Sequence, residues 1–286
     1  MKKLIENGII IFLSLLMLAP TFQTYVYAEP IDLVEETLEQ ELAEENLALV
    51  DSELTIEDSE EVYTFTIETE TGETVDLKLD IDDSSVSAEA ISSISGEVET
   101  YAFSIPEDTE LIGEDLSSED FEDITIENET NGEIYEYEDI EGELSLALAI
   151  PYAIPIAWSA LVALSKAGLV IIAAGATYIA ASHAISKIVN NKNRKNHYLA
   201  TLRGGTLYIG KGVSETQAAA QLRSGKSTWS ISRNQAKIIA SRLAKGNPIN
   251  EVDRNPNGTP KRGYYWHWHS STRQPKGHHA FYGYPI

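Results

Sequence analysis

Cysteine is absent from the 286 residues, which excludes a disulfide framework, a thiolate metal site and a cysteine nucleophile. Bases are nearly absent from residues 29 to 144, where Lys78 stands alone among 41 acidic side chains. Acids are nearly absent from residues 145 to 286, where Glu215, Glu251 and Asp253 stand among 18 lysines and arginines. The two stretches carry net charges of −40 and +15, so the whole-chain value of −24 describes neither. The halves are expected to favour different partners, because net charge speaks to association rather than to fold. The three carboxylates of the basic half leave little for a hard Mg²⁺ site. What that half does hold is all six histidines, four of them in the last 20 residues.

Lys2 and Lys3, the apolar run from Ile9 to Ala19 and the small residue Ala28 before Glu29 read as a secretory signal peptide over residues 1–28. The apolar run is short for a bilayer, and a retained anchor is the competing reading. The expected location is outside the cell, either secreted or held at the cell surface.

Residues 29–143 read as an acidic leader. Its first part, with Leu33, Leu38, Leu42, Leu47 and Leu49 among many glutamates, fits either a helix or a solvated segment. From Val62 the apolar residues alternate, through Thr71-Gly72-Glu73 to Val75, Leu77, Leu79 and Ile81, which predicts a β-hairpin turning at Gly72. A further alternating stretch from Val98 to Ile105 extends this to a small β-rich part near residues 60–106. Residues 107–143, with 17 acids and no base, read as a mobile linker.

Residues 144–189 read as an apolar helical segment. Leu144 to Ser165 and Ala167 to Ser186 carry no charge and each has membrane-spanning length, the second being the better helix. A membrane-active hairpin and a buried core pair remain equal readings. A basic linker at residues 190–196 follows, and then a compact module from 197 to 286. In the module, Tyr198 to Ile209, with Gly204-Gly205 in the middle, reads as two short strands or a hairpin. Ser214 with Gln217 predicts a capped helix ended by Gly225, and Ser232 caps a second helix with a stripe of Ala236, Ile239, Ala240 and Leu243. The expected fold class is α+β in several parts: acidic β-rich leader, apolar helical segment, and a C-terminal module of helices followed by an antiparallel sheet.

The last residues, Tyr265-Trp266-His267-Trp268-His269 and His278-His279-Ala280-Phe281-Tyr282, favour strands. Side chains alternate across a strand, so His267 and His269 share one face, and the register of the partner strand decides whether His279 joins them. Converging imidazoles beside cations suit metal-independent RNA cleavage by histidine acid/base chemistry, with His267, His269 and His279 as catalytic candidates. Lys226, Arg233, Lys261, Arg262, Arg273 and Lys276 are the candidates for binding nucleic acid and countering phosphate charge. On that reading no cofactor is expected. The alternative is a divalent metal bound by His267, His269 and His279.

The order of signal peptide, long leader, apolar middle and short basic module ending in Tyr265-Trp266-His267-Trp268-His269 and His279-Ala280-Phe281-Tyr282-Gly283 resembles secreted bacterial polymorphic toxins. More narrowly it is similar to a family of staphylococcal and related Gram-positive toxins whose activity is assigned by analogy. The motif resemblance covers about the last 60 residues, including Trp229-Ser230-Ile231-Ser232-Arg233-Asn234-Gln235-Ala236. It implies a nuclease module, an immunity protein as partner and, for some relatives, a helix-then-antiparallel-sheet ribonuclease fold. The first functional expectation is therefore a secreted toxin cleaving nucleic acid, RNA preferred. The alternatives are a membrane-active bacteriocin acting through residues 144–186, and a cell-surface binding protein. Opposite fields also make the leader a candidate intramolecular inhibitor of the module, at ranges up to about 8 to 10 Å at physiological salt, against the plainer reading of a solubilising spacer.

Overall fold

The computed structural model describes residues 31–57, 60–91, 96–113, 116, 118–136 and 151–286. The signal-peptide reading, and the part of the apolar run before residue 151, lie outside the described residues. The described residues form a mixed α+β fold with five helices and two sheets, neither closed into a barrel.

The first sheet follows helix α1 (Ile31–Glu44) and contains β1 (Leu47–Glu57), β2 (Glu60–Thr69), β3 (Thr74–Asp80), β4 (Ser85–Ile91), β5 (Val98–Ser104), β6 (Thr125–Asn128) and β7 (Glu133–Glu136), in chain order and antiparallel throughout. Alternation builds its core. Phe65 pairs with Leu77, Leu77 with Ala88 and Ala88 with Tyr101, a buried apolar row running across four strands. The opposite pleat carries the acids in water, which is how so charged a stretch folds. The hairpin forms at Gly72, where φ is +86°. β6 and β7 occupy what reads in the sequence as a linker, because Ile126 and Tyr135 are enough apolar residues on one pleat to seat them.

Helix α2 (Ala153–Lys166) covers the buried face of this sheet. Trp158 packs between Phe103, stacked at 6.4 Å, and Phe121, edge-on at 5.8 Å. The helix lacks charge up to Lys166 because it is covered on nearly all sides, by the first sheet, α1 and β8 (Val170–Ala173). At 14 residues it falls short of a bilayer, and among the described residues no helix is long and apolar enough to cross a membrane.

The apolar segment is thus corrected in two ways: it is neither transmembrane-like nor wholly helical. Its second run forms the hairpin of β8 and β9 (Ala176–Ala180), then helix α3 (Ala181–Asn190). Val170-Ile171-Ile172 are stiff β-branched residues suited to a strand. Ala174 and Gly175, both at positive φ (51° and 69°), make the tight turn that a right-twisted hairpin favours.

The second sheet starts with that hairpin and adds β10 (His197–Arg203), β11 (Thr206–Val213), β12 (Ser227–Ser230), β13 (Ile249–Glu251), β14 (Trp266–His269) and β15 (Ala280–Tyr282). Its order is β13-β14-β15-β12-β10-β11-β9-β8. Helix α4 (Glu215–Arg223) follows β11 and helix α5 (Arg233–Ser241) follows β12. The expected arrangement of separate parts ending in helices followed by an antiparallel sheet is overturned. Strands come before, between and after the helices; β12 and β15 are parallel; and the apolar segment supplies two strands of the sheet. Both helix caps form as read, with a capping box at Ser214 and Gln217, and Ser232 accepting from the Gln235 N–H at 3.3 Å.

The sheets meet through polar contacts, one of them buried. Tyr198 Oη donates to Glu61 Oε1 at 2.8 Å, Lys211 Nζ donates to the Asp82 carbonyl at 2.6 Å, and Asn193 of the basic stretch reaches the Ile56 carbonyl at 3.4 Å. Glu61 is only 1% exposed, and burial pushes its carboxyl up to about 7. A Cβ on Gly212 would lie 3.0 and 3.1 Å from that carboxylate, so the strand must be bare there to admit it.

Candidate metal centre

Four adjacent strands of the second sheet place the centre. Glu251 pairs with His267 between β13 and β14, and His267 pairs with Phe281 between β14 and β15. This register settles what the sequence leaves open: His279, two residues before Phe281, falls on the same face as His267 and His269. The three rings stand at centroid separations of 5.0, 4.9 and 4.8 Å. One ligand nitrogen from each lies within 4.8 Å of the others. A tetrahedral ion with bonds near 2.1 Å needs edges of roughly 3.4 Å, so binding one would draw the rings closer together.

Each imidazole has its own support. His267 Nδ1 donates to the Tyr265 carbonyl, which can only accept, at 3.1 Å, so Nε2 is the nitrogen left to face the other rings. His279 Nδ1 lies 3.4 Å from Ser227 Oγ on β12. His269 Nε2 lies 3.0 Å from Glu251 Oε1. Burial, with the neighbouring His267 second, lowers the pKa of His269 to about 4, and burial followed by His267 and His269 does the same to His279. Both are neutral near pH 7, the form that ligates a metal.

That finding corrects the expectation of metal-independent acid/base chemistry with no cofactor. A general acid must hold a proton near neutrality, and His269 and His279 do not. Three converging imidazoles, two of them buried, are instead a ligand set capable of holding a divalent ion.

The remaining histidines serve the structure. His278 is fully buried, accepts the Ser270 N–H through Nε2 at 3.0 Å and donates through Nδ1 to the Pro275 carbonyl, so both nitrogens are committed to the loop from 270 to 277. His197 Nδ1 lies 2.9 Å from Ser230 Oγ. His183 stacks on Phe65 at 5.8 Å.

Among the expected phosphate-binding cations, Lys226 is brought to the centre. It lines a cavity of about 400 Å³ together with Arg203, Gln221, Ser227 and His279. Arg233 is not: its guanidinium lies 5.4 Å over the Trp268 ring, and alternation along β14 puts Trp268 on the opposite face from His267 and His269. Lys261 lies 5.0 Å over the Tyr264 ring, and Arg262 and Lys276 are exposed. Arg273 is already engaged, with both terminal nitrogens donating to the two oxygens of Glu251.

Glu251, Ser227 and Arg203 are members of the site that reading the sequence missed. Glu251 is one carboxylate on a three-residue strand, and only its pairing with His267 gives it meaning. No family model, curated protein or solved structure matches the chain.

Proposed function

We propose that His267, His269 and His279 hold a divalent first-row transition metal and that this centre hydrolyses phosphodiester bonds in a nucleic acid, RNA first among them. The observation that carries the reading is the convergence of three imidazoles, His267 and His269 buried and His279 partly so, beside a cavity of about 400 Å³ lined by Lys226 and Arg203. A bound ion supplies Lewis-acid polarisation of a phosphoryl oxygen. The chain's own residues supply the rest. The Tyr265 carbonyl fixes the tautomer and orientation of His267, and Lys226 and Arg203 counter the charge of the bound phosphate. The +15 of the basic half draws in the polyanion. The resemblance to secreted toxins, with an immunity protein as partner and the acidic half as a candidate inhibitor, belongs to the same reading.

The test is RNA cleavage by the full chain. Activity is expected to vanish in EDTA, to return with Zn²⁺ or Mn²⁺, and to be lost in His267→Ala. Cleavage that persists unchanged in chelator would sink the proposal.

Burial favours a second reading. His267 is 4% and His269 8% exposed, closer to a structural site, which is shut, than to a catalytic one, which keeps a position open. The ion would then lock β14 to β15 in a binding protein rather than an enzyme. Zinc-dependent thermal stability without RNA cleavage is its signature.

A further inference from the structure

We infer that Glu251 is a fourth ligand of this metal centre and that Arg273 is the residue that positions it. The inference rests on the metal reading above and extends it to the composition of the site.

Glu251 Oε1 lies 3.0 Å from His269 Nε2 and 3.7 Å from His267 Nε2. These distances bracket the edge of roughly 3.4 Å between two ligand atoms of a tetrahedral centre with bonds near 2.1 Å. A carboxylate that only supported a ligating histidine from outside would bond the nitrogen turned away from the ion. On His267 that nitrogen is Nδ1, and it is taken by the Tyr265 carbonyl. Glu251 therefore faces the ligating side of His267, and its same oxygen lies against Nε2 of His269.

The ligands thus come in sheet order: Glu251 from β13, His267 and His269 from β14, and His279 from the residue just before β15. The cavity with Lys226 and Ser227 opens beyond His279, toward β12 and β10. The carboxylate and the cavity are on opposite flanks of the histidines, so substrate reaching the ion from the cavity would take a fifth position, an expansion that zinc sites allow.

Arg273 holds the carboxylate by a bidentate pair, which fixes its plane. The arginine comes from the loop between β14 and β15 and sits at φ +55°, a conformation that non-glycine residues adopt only where their surroundings insist. The surroundings do insist. Ser270 accepts the Arg273 N–H through its carbonyl at 3.0 Å, its hydroxyl donates to the Gln274 carbonyl at 2.9 Å, and its own N–H is anchored on His278. The buried His278, which faces His269 at 5.2 Å, thereby places a loop whose arginine aims Glu251.

The test is Zn²⁺ affinity by competition with a chromophoric chelator, together with the visible spectrum of the Co²⁺-loaded protein, on the full chain. Glu251→Gln, nearly isosteric, and Glu251→Ala are expected to weaken Zn²⁺ binding by more than about 100-fold, beyond the roughly 10- to 100-fold of a supporting residue. Both should also change the Co²⁺ bands as the ligand set changes. Arg273→Ala is expected to weaken binding within that 10- to 100-fold range while keeping the Co²⁺ bands of the parent. Glu251→Gln that binds Zn²⁺ within about threefold of the parent, with an unchanged Co²⁺ spectrum, overturns the inference. In that case the loss of binding in His267→Ala shows that the three-histidine centre survives without it. A parent chain that binds no Zn²⁺ overturns both.

Discussion

The first sheet keeps β1 to β7 in chain order, each strand antiparallel to the one before, whereas the second sheet reorders its strands and makes β12 and β15 parallel. A meander brings together only residues that are already close in sequence, and its outer face mixes carboxylates with serines, threonines and Lys78. The reordered sheet brings Ser227, Glu251, His267 and His279 into one row across four strands. The site arises where chain order is broken.

The contrast is sharpest if the two sheets fold as one. Trp158 belongs to a core cluster that runs from the first sheet into β8, β9 and β10. Trp158→Ala is expected to cost about 3–5 kcal/mol and to lower a single thermal transition seen alike by signals from both sheets. Two separated transitions would break the comparison into independent units.

The next largest effect lies at the junction. Glu61 has a folded-state pKa of about 7 against 4.5 for the free side chain, so between those values the folded chain binds more protons than the unfolded one. Stability therefore falls as pH rises through this window, and the penalty is complete above about 7. Glu61→Gln is expected to stabilise the protein above pH 7 by on the order of 3 kcal/mol, with little effect below pH 4.5. Denaturant melts across pH check it. A variant with the same pH slope as the parent would mean that Glu61 does not strain the junction.

Smaller effects separate structural cations from functional ones. Arg233→Met is expected to cost about 1 kcal/mol through the lost contact with Trp268, measured by chemical denaturation, and to leave Zn²⁺ affinity unchanged. Smallest of all is Lys78, whose pair with Glu89 is about a third exposed. Lys78→Met should shift stability by less than about 1 kcal/mol, even though it removes the acidic sheet's single base.

How much of this was legible depended on distance along the chain. The Gly72 hairpin, the caps at Ser214 and Ser232 and the shared face of His267 and His269 follow from local rules and are seen as read. Residues 167–186 misled because a buried hairpin followed by a helix has the hydropathy of one long helix, and the signs of the break were Gly168, Gly175 and the β-branched run Val170-Ile171-Ile172. β6 and β7 were hidden by outward acids that conceal two inward apolar residues. Glu251 was illegible in principle: its role comes from a strand register and from an arginine delivered by a distant loop.

The position of β15 has a consequence in time. This strand, formed by Ala280–Tyr282, is seated between β14 and β12 in the interior of its sheet rather than at an edge. Strand pairing in the first sheet is complete once residue 136 has been synthesised, but the second sheet stays split into two pieces until residue 282 exists. At about 5–20 residues per second that interval is roughly 7 to 30 s. For nearly all of it His279 is missing, so the cluster of His267, His269 and His279 is incomplete until β15 seats between its neighbours.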